Sequence, residues 1–203
     1  LSCSRVQFTP DVLPSDVTGY SVPDAAGEMR YQPGAVLCNL FLADELNRAT
    51  SRTQSALLEA MEEGQVTVDG VSHSLPKPFT VIATQNPTGA AGTQLLPDSQ
   101  MDRFMVRLSM GYPSPKDEAA MVLNRQGGNP LHELTTLMTR EDLTAMQDTV
   151  EATYLSDSVV NYIVALISAT RGSADILRGA SPRATLAVTA MAKSVARLRG
   201  RDY

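Results

Sequence analysis

The apolar residues follow two different rhythms, and the change comes just past the middle of the chain. From Ala35 to Ala43 nine residues read AVLCNLFLA and stop abruptly at Asp44-Glu45. A continuous apolar run closed by charge predicts a parallel strand buried on both faces. Phe79–Thr84 (FTVIAT) predicts a second buried strand, ending in polar Gln85-Asn86-Pro87. Phe104, Val106, Leu108 and Met110 alternate, which predicts a third strand over Arg103–Met110. Between these, Ser51–Glu63 places Leu57, Leu58 and Met61 on one helical face, with Thr50 or Ser51 to cap it and Gly64 to stop it. Gln65–Leu75 predicts a hairpin, because Asp69-Gly70 sits between alternating segments. Residues 1–34 are punctuated by Pro10, Pro14, Gly19, Pro23, Gly27, Pro33 and Gly34, and admit only short extended pieces at Arg5–Phe8 and Glu28–Tyr31.

Beyond Gly111-Tyr112-Pro113 the pattern becomes helical, at about 116–126, 140–150, 157–170 and 182–199. Thr139 and Ser156 are expected caps, and Ser181-Pro182 is a cap followed by proline at the first helical position. Two domains are expected: an α/β unit with a parallel sheet over residues 1–112, and an all-helical unit over 113–203. No internal repeat or low-complexity tract is visible in the sequence.

Composition narrows the function more than the fold. With 203 residues, 43% hydrophobic and 19% charged, the chain is ordinary globular material. A net charge of −5 argues against general binding to nucleic-acid backbone. No apolar run approaches the roughly 20 residues of a membrane helix. Two cysteines (Cys3, Cys38) and two histidines (His73, His132) exclude a disulfide scaffold and argue against a zinc site. The three lysines, Lys77, Lys116 and Lys193, come after Pro, Pro and Ala, so no Gly-Lys pair exists and the chain contains no phosphate-binding P-loop.

Four places can carry chemistry. Asp44 and Glu45 end a parallel strand, where open α/β sheets bind ligands, and adjacent side chains there diverge. One acid can hold a hydrated Mg²⁺ while the other faces a reacting water; equally, the pair can simply end the strand and cap the next helix. Asn86 extends the second strand to the same edge, where an amide can orient a water without adding charge; as Asn before Pro it also suits a turn. Arg103 stands ahead of the third strand, beside Asp98 and Asp102 as possible ion-pair partners. Arg183 lies one residue after a Ser-Pro helix start, where the helix dipole disfavours a cation, so an anion is expected nearby.

Taken together and in order, these segments resemble the MoxR family of AAA+ ATPases. Leu40–Glu45 resembles a Walker B motif, and Leu46-Asn47-Arg48-Ala49 with Thr53–Met61 closely resembles the family's segment just after that motif. Val81–Pro87 resembles the sensor 1 strand, Leu96–Phe104 the arginine-finger segment, and Gly179–Ala184 the sensor 2 motif. The hairpin at 65–75 fits the family's insertion before sensor 1, and the segment at 17–34 its insertion in the second core helix. The resemblance implies an α/β P-loop NTPase core, truncated at its N-terminus, followed by an all-helical lid. The family's first strand, P-loop and first helix are expected upstream of Leu1, and this chain alone is expected to be inactive. It further implies ATP and Mg²⁺ as cofactors, with Asp44 on the metal and Glu45 polarising the attacking water. Asn86 would position that water, Arg183 would touch the γ-phosphate in the same subunit, and Arg103 would act on the neighbour's nucleotide. A hexamer, a von Willebrand factor A-domain partner, chaperone-like remodelling of client proteins and a cytoplasmic location complete the expectation. Two rivals stay open on the residues alone: a non-hydrolysing adaptor with the same fold, and a Mg²⁺-dependent phosphohydrolase using Asp44 and Glu45 directly.

Overall fold

The computed structural model describes residues 1–86, 95–126 and 130–202. Its centre is a parallel three-stranded sheet of β1 (Cys3–Gln7), β4 (Leu40–Asp44) and β7 (Thr80–Ala83), in the order β1-β4-β7. The register pairs Gln7 with Asp44, and Ala43 with Ala83, so all three strands end at one edge. Two antiparallel hairpins flank the sheet: β2 (Gly19–Pro23) with β3 (Met29–Pro33), and β5 (Gln65–Val68) with β6 (Val71–Ser74). A five-residue helix α1 (Pro14–Thr18) and the longer α2 (Ser51–Glu63) cover the core. Phe8, Val17, Val36, Phe41, Leu46 and Leu57 are fully buried there, and Phe8 meets Phe41 edge-to-face at 6.5 Å.

The expected strand over 35–43 is corrected: only Leu40–Asp44 is extended. The preceding backbone bonds elsewhere. Ala35 and Val36 donate to the carbonyls of Asp16 and Val17, and Cys38 donates to Val36. Asn39 marks the change. Its side chain accepts from Ser2 and donates to the Pro78 carbonyl at 2.9 Å, strapping together the starts of all three strands. The early part of the run is buried by turn packing instead of a ladder, and that packing needs glycine. A Cβ on Gly34 would lie 2.2 Å from the Gly19 nitrogen and 2.3 Å from the Val17 oxygen. Overpacking usually costs 1–3 kcal/mol, and here the obstruction is backbone, so Gly34→Ala is expected to cost about 3 kcal/mol or more in urea unfolding.

The third strand is a second correction. Residues 105–114 have no regular structure, and Leu108, Met110 and Tyr112 are 82%, 95% and 99% exposed. Alternation favours a strand only where a neighbour supplies the ladder, and among the described residues none lies beside this segment. For the same reason β7 is not buried on both faces. It has β4 on one side only among the described residues, and Ile82 is half exposed.

Short-range signals are realised closely. Thr50 caps α2, accepting from the Thr53 amide, and Gly64 ends it in the left-handed region at φ 63°. Asp69 and Gly70 form the hairpin turn with φ 50° and 78°. Tyr31 of one hairpin stacks on His73 of the other, with centroids 3.6 Å apart. After the four-residue helix α3 (Asp98–Met101), the described regular elements are all helical, chiefly α4 (Pro115–Gln126), α5 (Arg140–Glu151), α6 (Asp157–Gly172) and α7 (Pro182–Leu198). Thr139, Ser156 and Ser181 cap the last three. Helix α7 packs against both α5 and α6. Its Lys193 Nζ donates to the Glu151 carbonyl, and its Arg197 Nε to Thr153 Oγ1.

Candidate active site

The carboxyl edge of the sheet carries the first group of candidate residues. Asp44 closes β4, and its Oδ1 accepts from Thr84 Oγ1 at 2.6 Å while its Oδ2 accepts from Arg5 at 2.6 Å. These two bonds hold its carboxyl below the usual aspartate range, the Thr84 hydroxyl contributing most and Arg5 next. Glu45 then turns the chain. It adopts a left-handed conformation, φ 53° and ψ 45°, uncommon for a residue with a side chain and frequent at functional sites. Its amide donates to Thr84 Oγ1 at 2.9 Å, so one hydroxyl serves both acids. Its carboxylate accepts from Gln7 Nε2 and from Arg48, each at 2.9 Å.

A left-handed turn, and not strand alternation, separates the two acids, and one polar cluster serves both: Arg5, bonded to Asp44, also donates to Gln7, which donates to Glu45. The helix-capping alternative fails, since Thr50 caps α2 and the Glu45 side chain makes no cap bond. A single 3-10 turn, Leu46–Arg48, comes directly after Glu45 and is pinned from below. Buried Gln54 of α2 donates to the carbonyls of Leu46 and Ala49 at 3.4 and 3.1 Å. Gln54→Leu strands those acceptors, and a loss of about 1–3 kcal/mol in denaturant unfolding is expected.

Asn86 lies exposed three residues past the end of β7, beyond Thr84 at the same edge. The remainder of the expected loop, Pro87 and the Gly-rich stretch Gly89–Thr93, falls outside the described residues.

Arg103 and Arg183 form a second group, and one carboxylate joins them. Arg103 Nε donates to Glu62 Oε2 at 2.7 Å, and a guanidinium nitrogen of Arg103 donates to the Ser99 carbonyl at 2.9 Å. Its acidic partner is thus neither Asp98 nor Asp102. Arg183 pairs with the other oxygen of Glu62 and lies 4.0 Å from Asp102. The anion expected near the start of α7 is therefore Glu62, from the last turn of α2. Hydrogen bonding by Arg103 above all, with Arg183 adding, holds the Glu62 carboxyl below its usual value. A lowered carboxyl contributes stability above its unfolded value and loses it as pH falls through the folded one, so the bridge persists into mild acid.

Sequence reasoning missed Arg5, Gln7, Thr84 and Glu62. The first two sit two residues apart on β1, on the face that meets the end of β4, a signal visible only once the parallel register is known. Among the described residues no group of three or more His, Cys, Asp or Glu could hold a metal ion. That excludes a protein-built cage there. The donors at the edge are the carboxylates of Asp44 and Glu45, a set of the kind Mg²⁺ takes, one or two carboxylates with the shell completed by water and phosphate. No described helix is long and apolar enough to cross a membrane.

The parallel sheet with two acids at its carboxyl edge is followed by helices, the last of which presents an arginine. Residues 1–106 match the family described as "ATPase family associated with various cellular activities (AAA)", and the chain belongs to it. Within that class it is a MoxR-family AAA+ ATPase. It is 46% identical over 98% of its length to the uncharacterized protein YeaC of Bacillus subtilis (strain 168), and 40% identical over 98% to Chaperone MoxR1 of Mycobacterium tuberculosis (strain ATCC 25618 / H37Rv). It spans 62% and 55% of those two relatives. A crystal structure of a candidate ATPase from Cytophaga hutchinsonii ATCC 33406 superposes with a TM-score of 0.89 at 36% identity, covering all of this chain and 64% of that one.

Proposed function

We propose that the intact protein hydrolyses ATP with Mg²⁺ and couples this to remodelling or assembly of partner proteins, as the name of Chaperone MoxR1 suggests for that relative. The observation that carries this reading is the pair of acids at the sheet edge, Asp44 on Thr84 and Arg5, Glu45 on Gln7 and Arg48. Asp44 would hold the ion, through water or directly, keeping lone pairs available on both oxygens. When bound, Mg²⁺ would neutralise charge on the phosphates.

Glu45, held by two donors, would accept a proton from the attacking water or orient it. Asn86, past the end of β7, would position that water with its amide. Arg183 would contact phosphate from the helical unit, and Arg103 would reach the site of a neighbouring subunit. Residues 1–112 would form the core and 113–203 the lid, with the full site assembled in a hexameric ring. A von Willebrand factor A-domain protein is the proposed partner, in the cytoplasm, and client proteins are the proposed substrates of remodelling.

Phosphate release by the intact protein tests the reading. Turnover is expected with Mg²⁺ and should vanish with excess EDTA, returning when Mg²⁺ is restored. ATPase activity unchanged by chelation would contradict it.

A further inference from the structure

Arg103 and Arg183 are 80 residues apart in the chain and sit on different elements, yet a single carboxylate takes one from each of its oxygens. Glu62 is not a loosely solvated helix end: its side chain is 30% exposed, against 27% for Arg103 and 49% for Arg183. A second fastening runs beside the first. Ser181 Oγ donates to Asp102 Oδ1 at 2.7 Å while accepting from the Arg183 and Ala184 amides, so the cap of α7 grips the residue preceding Arg103. A third pair, Arg178 with Asp98, lies along the same seam.

We infer that Glu62 is a positioning residue that sets the orientation of the Arg103 guanidinium and ties it, through Arg183, to the placement of helix α7. The inference rests on the ATPase reading above, in which both arginines meet phosphate. A flexible arginine would lose several rotamers on reaching an anion. Held at Nε by Glu62 and at a second nitrogen by Ser99, the fork of Arg103 is already oriented, and its five N–H donors exceed what these two bonds use. Because Glu62 bonds Arg183 through its other oxygen, a shift of α7 that draws Arg183 toward phosphate changes the restraint on Arg103. Glu62 touches no reacting atom and acts only through the two arginines.

The test uses the intact protein and steady-state kinetics. Glu62→Gln should lower kcat by about fivefold or more while KM for Mg-ATP stays within about threefold, since orientation matters in the transition state more than in binding. Glu63→Gln, its exposed neighbour, should leave both within about twofold. In an Arg103→Ala background, adding Glu62→Gln should lower kcat by a smaller factor than it does in wild type, because one of the two arginines through which Glu62 acts is gone. A general structural role would instead give an additive loss in that background, which would overturn the inference. So would a kcat for Glu62→Gln within about fivefold of wild type in an active protein. A wild type with no ATP turnover overturns the ATPase reading and this role with it, whereas an active wild type with an indifferent Glu62 overturns the role alone.

Discussion

Glu45→Gln in the intact protein is expected to bind ATP and then stall, with turnover about 10²–10⁴-fold below wild type. The amide keeps the size of the side chain and its ability to accept from Gln7 and Arg48 at 2.9 Å, so the local geometry survives. It cannot accept a proton from water, so the chemical step suffers while nucleotide affinity does not. Folding is not at issue. The side chain is 27% exposed and its pair with Arg48 lies at the surface, where such pairs contribute at most about 1 kcal/mol. Turnover above about a tenth of wild type would show that Glu45 does not activate water.

Arg103→Ala should produce the second large effect, a fall of about 10³–10⁵ in turnover, the range for loss of a finger acting in trans. Nucleotide binding to an isolated subunit should be unchanged, because in the proposed reading the side chain serves a neighbour's site. Losing its ion pair with Glu62 is a smaller matter, since solvent-screened pairs of this kind contribute little to the fold. Mixed rings separate the two roles. An Arg103→Ala subunit retains Glu45, and a Glu45→Gln subunit retains Arg103, so their shared interface can rebuild one complete site. Recovery of some activity on mixing is expected. Mixed rings confirmed by mass that remain inactive would make Arg103 a structural residue.

Local chemistry was legible in the sequence and long-range pairing was not. Caps at Thr50, Thr139, Ser156 and Ser181 and the Asp69-Gly70 turn depend on residues within a few positions, and all stand where expected. The strand over 35–43 came out too long because hydrophobicity reports burial, and Val36 and Cys38 are buried by turns bonded to α1. The segment at 103–110 has the alternation of a strand but no neighbour to pair with among the described residues. Asp44 and Glu45 were recognisable because they interrupt an apolar run. Their partners Arg5, Gln7 and Thr84 were not, being 38 to 40 residues away and polar among other polar residues. Glu62 was the hardest to see, since one of two glutamates at a helix end reads as a solvated terminus until both arginines are placed on it.

The ATPase assignment stands most directly on the nucleotide that remains bound after hydrolysis is blocked at Glu45. Intact wild type and Glu45→Gln are each incubated with Mg-ATP, passed rapidly through gel filtration, denatured, and the released nucleotide is separated by chromatography. Wild type should yield ADP and the variant ATP. ADP from both, or no nucleotide retained by either, would contradict the assignment of this sheet edge as the ATP-hydrolysing site.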